Sequence, residues 1–408
     1  MSALAQRYSA YTATERDGRL PALDGARALF VLLVGCYHIW QQSWWTPVLA
    51  VGSWRFSFDP LLRSGYIWVD AMLLLSGFLL YLPYAEAAEG GKRSPRILPF
   101  YGRRILRIVP SYYLCVLVML IFVALPKGSY NGPDGALSWW KMGRDLLAHA
   151  TFTHTLFPFS YTGSPLNGAL WTLGVEMQFY LLFPFVGRLF RKWPHWTYLG
   201  LCTAAYAYRA WVKTLPDTTL YFNQLPAQLD VYANGMLAAG VYAALKRRMK
   251  QDGWTRALFT AVLCVAAVCM WAIVREQASA NGYENIRLGQ MRHRFPLSAV
   301  TALFLLGLLY GARPLRLIFG NRVTRILAEI SFQFYMWHQV FAVQLKAWGI
   351  PASVSTTPWT AGERSWQYLY VALCFAGALA ISALVTYAFE RPIARLGRGK
   401  TKSARKYK

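Results

Sequence analysis

An arginine and a histidine lie eleven residues apart in the first long apolar run of the sequence. Arg27 opens the run Ala28–Trp40, and His38 lies near its end. On an α-helix, eleven steps of about 100° bring both side chains onto one face, about 16 Å apart along the axis. If Arg27 marks one edge of a hydrocarbon layer about 30 Å thick, His38 lies near its middle. An ionisable group at that depth indicates a functional site, although a histidine bonded to a neighbouring helix would fit equally well.

Two more ionisable residues lie inside apolar segments. Glu176 is about one and a half turns inside its segment, so its carboxylate must face a partner or a wet cavity. It could orient a histidine and stabilise the imidazolium, or it could form a structural ion pair with an arginine. His338 lies at a depth similar to that of His38, and two histidines at one depth favour function over chance.

A pair of arginines precedes the third apolar segment. Arg104 and Arg107 are three residues apart, so on a helix they are neighbours on one face. Two guanidinium forks suit phosphate recognition, since each can bind two oxygens. The alternative is ordinary positive charge at the membrane surface facing anionic lipid.

Several polar residues in or beside the apolar segments are secondary candidates. Asp24 precedes Arg27 by three positions and could pair with it. The others, which could bind a substrate or have a secondary role, are Asp70, Ser76, Trp171, Asp230, Tyr335 and His338. The four remaining histidines are weak candidates, because we expect them to be exposed or interfacial: His149, His154, His195 and His293. No Gly-rich phosphate loop, HExxH or CxxC is present, so we expect no metal site.

The composition predicts what must position these residues. The chain of 408 residues is 56% hydrophobic and only 15% charged, whereas soluble domains carry about a quarter charged residues. We therefore predict an all-α, polytopic membrane protein. Ten segments are long enough to span, at about 27–47, 66–84, 109–126, 169–190, 195–213, 226–245, 254–275, 295–313, 327–349 and 367–389.

The distribution of positive charge predicts the orientation. Most Lys and Arg residues fall in the even-numbered connections and at both ends, so both termini are predicted to be cytoplasmic. The net charge of +25 therefore indicates membrane topology and lipid contact, and we do not expect nucleic-acid binding. No cleavable signal peptide is visible. We predict a cytoplasmic segment over 1–22, one membrane domain over 23–392 and a basic cytoplasmic tail over 393–408.

Landmarks along this domain resemble the acyltransferase-3 family of integral membrane acyltransferases. In chain order they are Leu23-Asp24-Gly25-Ala26-Arg27 with His38; Val69-Asp70 and Leu75-Ser76-Gly77-Phe78-Leu79; Arg104 and Arg107 with Pro110; Trp171-Thr172-Leu173 with Glu176, Gln178, Phe179, Tyr180 and Pro184; Leu225-Pro226, Asp230 and Gly235-Met236; and Ser331, Tyr335, Trp337 and His338 with Glu390-Arg391-Pro392. Two departures are Thr172, where the family usually has Ser, and Met72-Leu73-Leu74, where a Phe-rich stretch is usual.

The resemblance implies an O-acyltransferase of carbohydrates in a plasma membrane, by expectation the bacterial inner membrane. The donor would be cytoplasmic acyl-CoA, most often acetyl-CoA, whose phosphates Arg27, Arg104 and Arg107 would hold. His38 would be the general base or a transient acyl carrier, and Glu176 would orient it. The acceptor would be an envelope glycan or a glycolipid. Some members carry a fused extracytoplasmic domain; without one, we expect direct transfer or a separate extracytoplasmic transferase as partner.

A second class of function stays open from the residues. A transporter or flippase could move an acylated carrier or a glycolipid without forming bonds, because buried charge alone does not exclude it. Such proteins often have related halves, and the sequence shows no such repeat. A purely structural scaffold would not explain two histidines at one depth. Oligomeric state is not predicted.

Overall fold

The computed structural model describes residues 20–395, which are mostly helical. Within that range lie ten long helices, labelled α1 to α10: Pro21–Ser43, Trp68–Glu89, Ile97–Met119, Trp171–Lys192, Pro194–Val212, Leu229–Arg248, Gly253–Ala278, Tyr283–Tyr310, Arg322–Ala347 and Arg364–Val385. Shorter helical pieces are Asp59–Arg63, Gly65–Ile67, Leu120–Ala124, Trp139–Ala150, His154–Leu156, Pro158–Tyr161, Gly168–Leu170, Leu225–Gln228, Arg313–Phe319 and Thr386–Glu390. An antiparallel hairpin, β1 (Val48–Val51) and β2 (Trp54–Ser57), follows α1.

The architecture confirms the predicted all-α membrane class. Each predicted span overlaps one long helix, and seven helices of the described range are long and apolar enough to cross a membrane. These seven are α1, α2, α3, α4, α7, α8 and α10. The total of ten spans and the cytoplasmic termini stay predictions. Residues 1–19 and 396–408, which hold most of the predicted terminal segments, lie outside the described residues.

Some helix ends differ from the predicted spans. Helix α3 begins at Ile97 and α8 at Tyr283, in each case about three turns before the predicted span. Arginine is a good helix former whose long stem can reach beyond an apolar layer, so these helices continue into charged sequence. Helix α1 ends earlier than predicted, at Ser43, because Trp44 adopts a left-handed conformation (φ 52°, ψ 19°) and donates its N–H to the Trp40 carbonyl.

The chain divides into two compact units, and each is described by itself. The first unit comprises the chain up to Ser94, Phe185–Pro216 and Pro226–Ser331. The second comprises Pro95–Pro184, Asp217–Leu225 and the chain from Phe332 onward. Helices α4 and α9 therefore each contribute residues to both units.

The first unit is built around the contact of α2 with α6. Two glycines allow it: a Cβ at Gly77 would lie 2.6 Å from the Tyr232 carbonyl oxygen, and a Cβ at Gly235 would collide with the Leu74 backbone. Small residues let two helix backbones approach closely in a membrane. This contact brings the start of α2, which carries Asp70, beside the start of α6, which carries Asp230.

A second close contact lies at the start of α1. The short helix Arg313–Phe319 packs against it, and a Cβ at Gly25 would collide with the Phe319 carbonyl. The ring of Phe319 is 5.9 Å from that of Phe304 on α8, in an edge-on arrangement. This contact holds the start of α1, which carries Asp24 and Arg27, within the first unit.

The second unit packs the beginning of α4 against α9 and the segment around residues 139–164. The Thr172 hydroxyl donates to the Tyr335 hydroxyl at 2.9 Å, and the Asn167 amide donates to the Met336 carbonyl at 2.6 Å. On another face of α4, the Gln178 amide donates to the Phe152 carbonyl at 3.1 Å. These bonds fix the half of α4 that carries Glu176.

Candidate functional site

His38 lies on α1 in the first unit and is half-buried. Its ring is 4.9 Å from that of Tyr37, which in turn lies 5.1 Å from the ring of Tyr66. Because α1 ends at Ser43, His38 is about 7.5 Å from the end of the helix along its axis. It therefore lies nearer to that end than the predicted span implied.

Arg27 lies on the same helix, near its start, and forms the ion pair that the sequence predicted. Its guanidinium is 3.7 Å from the Asp24 carboxylate, and both side chains are partly exposed. A surface pair of this kind adds little stability. The Arg27 guanidinium is therefore partly exposed near the start of α1.

Arg104 and Glu176 lie in the second unit and are joined through Tyr180. The Arg104 guanidinium carbon is 5.3 Å from the centroid of the Tyr180 ring, as in a cation–π contact. The Tyr180 hydroxyl, one turn along α4 from Glu176, donates a short hydrogen bond to the Glu176 carboxylate. The predicted phosphate-binding arginine and the predicted catalytic carboxylate thus share one tyrosine.

Two further predicted residues surround this group. Arg107 is exposed, and its charge acts on Tyr180 together with that of Arg104. Tyr335 is buried within electrostatic range of Glu176 and accepts a hydrogen bond from Thr172. Thr172, at the position where the family usually has Ser, therefore keeps a hydroxyl that forms a hydrogen bond.

A buried amide that the sequence did not single out links α3 with the short helical piece Thr386–Glu390, which follows α10. Gln333 is fully buried, and its amide donates to Ser111 at 2.8 Å and to the Glu390 carboxylate at 2.7 Å. The indole of Trp337 donates to the Gln333 carbonyl oxygen at 3.3 Å. The Glu390 carboxylate is within range of the Arg107 charge. These polar groups form a connected network beside the arginine pair.

His338 is fully buried and bonds to its own helix. Its Nδ1 lies 2.7 Å from the Phe334 carbonyl, and its ring stacks on the Phe334 ring at 5.3 Å. Such contacts are typical of a histidine that packs in a helical core. These contacts hold the ring in place, and the predicted role of His338 in the reaction stays a prediction.

Asp70 and Asp230 both belong to buried ion pairs in the first unit. Arg209 donates from two nitrogens to the two Asp230 oxygens, at 2.8 and 2.5 Å. The guanidinium of Arg294, which is fully buried, lies 3.6 Å from the Asp70 carboxylate. The sequence made Asp230 a candidate for acceptor binding or proton transfer and Asp70 a secondary candidate. Each carboxylate faces a buried arginine, and both roles stay predictions. Neither arginine partner was singled out, since sequence alone does not show which helices are neighbours.

The predicted site residues fall into two sets. The first unit holds Asp24, Arg27, His38, Asp70, Ser76 and Asp230, and the second holds Arg104, Arg107, Trp171, Glu176, Tyr335 and His338. Ser76 and Trp171 are half-buried. The predicted partnership of His38 with Glu176 joins residues of different units and stays a prediction. Within residues 20–395, no three His, Cys, Asp or Glu side chains are placed to hold a metal ion.

The expectation that His149 and His154 are exposed is wrong. Both are buried, and their rings stack 4.4 Å apart. His149 Nδ1 is 3.2 Å from the Asp145 carboxylate, which also accepts from Ser160 at 2.5 Å. His154 Nε2 lies 3.2 Å from the Leu170 carbonyl at the start of α4. The i,i+4 spacing of Asp145 and His149 was the available signal for this cluster.

The geometry of this cluster indicates a structural role. Asp145 and Ser160 both approach the same ring nitrogen of His149, so the three do not form a serine–histidine–aspartate relay. Burial raises the pKa of Asp145, but its hydrogen bonds outweigh this and hold that pKa below the ordinary value. Burial and the neighbouring His149 lower the pKa of His154 to about 3. The cluster ties the segment at 139–164 to α4.

His293 also differs from the prediction of an interfacial residue. It lies inside α8 and is buried, because that helix begins earlier than predicted. Its Nδ1 is 2.9 Å from the Gln277 side-chain oxygen, and the Gln277 amide contacts the Tyr66 hydroxyl at 2.5 Å. His195, at the start of α5, is exposed, and its predicted interfacial position stays a prediction.

Comparison with known proteins decides the family. The acyltransferase-3 family model, described as an acyltransferase domain, matches residues 20–388. The chain belongs to this family. The match confirms the resemblance noted from the sequence, and acyltransferase is the enzyme class that the family's description names. No solved structure matches the chain.

Three relatives illustrate the range of similarity. The peptidoglycan O-acetyltransferase OatA of Listeria monocytogenes is 29% identical over 43% of this chain and 25% of its own length. O-acetyltransferase OatA of Staphylococcus aureus is 30% identical over 41% of this chain and 24% of its length. A putative acetyltransferase, ORF330, of Acidianus two-tailed virus is 25% identical over 82% of this chain and 87% of its length. The chain thus spans only about a quarter of the length of the OatA relatives.

Proposed function

We propose that this protein is a membrane O-acyltransferase that moves an acyl group, acetyl foremost, from acyl-CoA to a hydroxyl of a carbohydrate. The family supports the reaction class, and the OatA relatives support the acetyl group. One of them is named for peptidoglycan, which favours an envelope glycan or its lipid-linked precursor as acceptor. The proposed location is a bacterial inner membrane, and a separate extracytoplasmic partner could complete the transfer.

The observation that carries the proposal is the contact of Arg104 with Tyr180 and of Tyr180 with Glu176. A cation lies on one side of the tyrosine ring, and its hydroxyl donates to a half-buried carboxylate. Phosphate recognition needs the first of these groups, and proton transfer or charge stabilisation needs the last. Their joint occurrence within one unit is what a donor site needs.

The proposed chemistry begins with His38 as general base. Its imidazole takes the proton of the acceptor hydroxyl while the oxygen attacks the thioester carbonyl carbon. The carbon–sulfur bond then breaks, and the CoA thiolate leaves and takes up a proton. In the second version, His38 itself attacks, carries the acyl group and passes it to the acceptor. Arg27, Arg104 and Arg107 would hold the phosphates of CoA in either version.

The test is release of free CoA from acetyl-CoA by the purified chain in nanodiscs, with a glycan acceptor added. We expect His38→Ala to lower the rate by about 100-fold or more, the usual contribution of a general base. The matched control is His195→Ala, which removes an exposed histidine at the start of α5 and should leave the rate unchanged. An unaltered rate in His38→Ala would remove this residue from the chemistry.

The same assay separates an enzyme from a transporter. A transporter or flippase would move an acylated carrier or glycolipid across the nanodisc or vesicle membrane without releasing CoA. CoA release that depends on the acceptor, with the acyl group recovered on that acceptor, would establish transfer. Movement of the carrier without free CoA would overturn the proposed reaction.

A further inference from the structure

Three arginines that the proposed reaction does not use come together in the first unit. Arg256 lies in the second turn of α7, and Arg313 and Arg316 lie on the short helix Arg313–Phe319. The Thr260 hydroxyl accepts the Ala312 N–H at 2.8 Å and donates to the Arg256 carbonyl at 2.7 Å. These two hydrogen bonds of the Thr260 hydroxyl hold the start of the short helix against α7.

Arg316 is the unusual member of the group. It is half-buried, and its Nε is shielded from water without a hydrogen-bond partner in the described part of the chain. Burial and the charges of Arg256 and Arg313 lower the pKa of Arg316. A desolvated guanidinium among like charges is unfavourable unless an anion compensates it.

Asp252, an acidic residue beside Arg256, caps a helix. Asp252 accepts the Thr255 N–H at 2.8 Å as the N-terminal cap of α7, and its charge interacts with Arg256. Arg256 also donates to the Gln251 carbonyl at 3.0 Å. No carboxylate stands among the charges that act on Arg316 within residues 20–395. The two charges that act on Arg316 are therefore both positive.

We propose that Arg256, Arg313 and Arg316 form a phosphate-binding site. A phosphate carries the charge opposite to that of the three guanidinium groups, and a guanidinium can bind two of its oxygens. Two sources offer this group, the proposed donor CoA and the headgroup of an anionic lipid. Only the CoA version rests on the proposed function. In both versions the ligand would bind beside a helix that contacts α1, because Phe319 of the same short helix packs on Gly25.

The experiment measures binding and needs no turnover. The full chain is reconstituted in phosphatidylcholine nanodiscs, and affinities for CoA and 3′-dephospho-CoA are measured by calorimetry. The thermal unfolding midpoint is then compared between phosphatidylcholine and phosphatidylglycerol nanodiscs, since a ligand of the folded state raises it. The variants are Arg316→Gln and Arg316→Lys. The matched control is Arg248→Gln, which removes a largely exposed arginine that pairs with Glu89.

The outcomes separate the two sources. A loss of about tenfold or more in CoA affinity in Arg316→Gln, but not in Arg248→Gln, would support the site and assign it to the donor. An equal loss on removing the 3′-phosphate from CoA would identify that phosphate. Unaltered CoA affinity with loss of the stabilisation by phosphatidylglycerol would support the site and assign it to lipid. If neither quantity changes, the proposal is overturned.

Folding of the variants does not obscure the result. Because Arg316 Nε has no partner in the described chain, Arg316→Gln should fold with at least the wild-type midpoint in phosphatidylcholine. Arg316→Lys keeps the charge but loses the two-oxygen edge, and should fall between the wild type and the glutamine variant. If Arg316→Gln does not fold, Arg256→Gln at an exposed position gives the same comparison.

Discussion

Two groups of charged residues in this molecule contrast sharply. In the first unit, Arg209 and Asp230 are both buried and meet through two short hydrogen bonds. In the second unit, Glu176 is half-buried and receives the hydroxyl of Tyr180, whose ring carries Arg104 at 5.3 Å. The first arrangement neutralises charge directly and excludes water. The second joins the cation and the carboxylate through a tyrosine, with the cation against the ring and the carboxylate at the hydroxyl.

The difference teaches how to interpret acidic residues in membrane helices. All three of Asp70, Asp230 and Glu176 were predicted candidates, and Glu176 was singled out by the cost of a carboxylate in an apolar layer. The structure gives two of them an arginine and the third a tyrosine. Buried pairs are expensive to break but need not act on substrate. We therefore expect the two groups to fail in different ways when mutated.

The largest effect should follow loss of one partner in the buried pair. Arg209→Met leaves Asp230 uncompensated, so we expect the free energy of unfolding to fall by about 3–5 kcal/mol. The measurement is the thermal unfolding midpoint in detergent. The double variant Arg209→Met with Asp230→Leu removes both charges and should recover most of the stability. A single variant as stable as the wild type would remove the structural interpretation of this pair.

Loss of the carboxylate in the second group should instead affect activity. We expect Glu176→Gln to lower acceptor-dependent CoA release by about 100-fold, as for a group that moves or stabilises a proton, with an unfolding midpoint close to that of the wild type. Glu329→Gln, in a partly exposed pair with Arg325, is the matched control and should keep its activity. If Glu176→Gln is instead destabilised like Arg209→Met, the contrast between the groups disappears.

The buried histidine pair should give the second unit a dependence on acid. Because the pKa of His154 is lowered to about 3 by burial and by His149, the unfolded chain binds more protons below the ordinary value of about 6.5. Stability is therefore lost as the pH falls from about 6.5 towards 3. Asp145, whose pKa is also lowered, acts in the same direction as it protonates.

The variant His154→Gln checks this sign. It no longer titrates at position 154, so its unfolding midpoint should fall less steeply between pH 7 and pH 4 than that of the wild type. Asp145 is retained, so some acid dependence should remain. Parallel curves for the two proteins would show that folding does not lower the pKa of His154.

The smallest effect should come from the tyrosine that connects the cation to the carboxylate. Tyr180→Phe keeps the ring beneath Arg104 but removes the bond to Glu176, so we expect CoA release to fall by about tenfold. Tyr101→Phe removes a hydroxyl that donates to the Leu181 carbonyl at 2.7 Å and serves as the control. Equal rates for both variants would show that the Tyr180 hydroxyl only packs.

The features that the sequence predicted are those carried by a single segment. Apolar runs placed the ten long helices, and the spacing of Asp24 and Arg27 predicted their ion pair. Arg104 and Arg107 share a helix as expected, although α3 begins earlier than its apolar part. Hydrophobicity reports the layer that a helix crosses, so it misses the polar turns beyond that layer.

The features that were missed depend on contacts between distant segments. Nothing in the sequence pairs Arg209 with Asp230 across 21 positions, nor brings Ser160 onto Asp145. The histidines at 149 and 154 lie outside the predicted apolar spans, where exposure is the ordinary expectation. Their burial follows from packing on α4 through the Leu170 carbonyl. The predicted action of Glu176 on His38 likewise depends on two distant segments and stays a prediction.

The contact of Gly25 with Phe319 affects how mutational screens of the first helix should be interpreted. The glycine stands between Asp24 and the arginine proposed to bind phosphate, so an alanine scan would group it with reactive positions. A methyl group there would collide with the Phe319 carbonyl and displace the short helix. Inactivity of Gly25→Ala would therefore report disturbed packing, and only a parallel measurement of protein yield and melting would prevent a scaffold residue from being counted as chemical machinery.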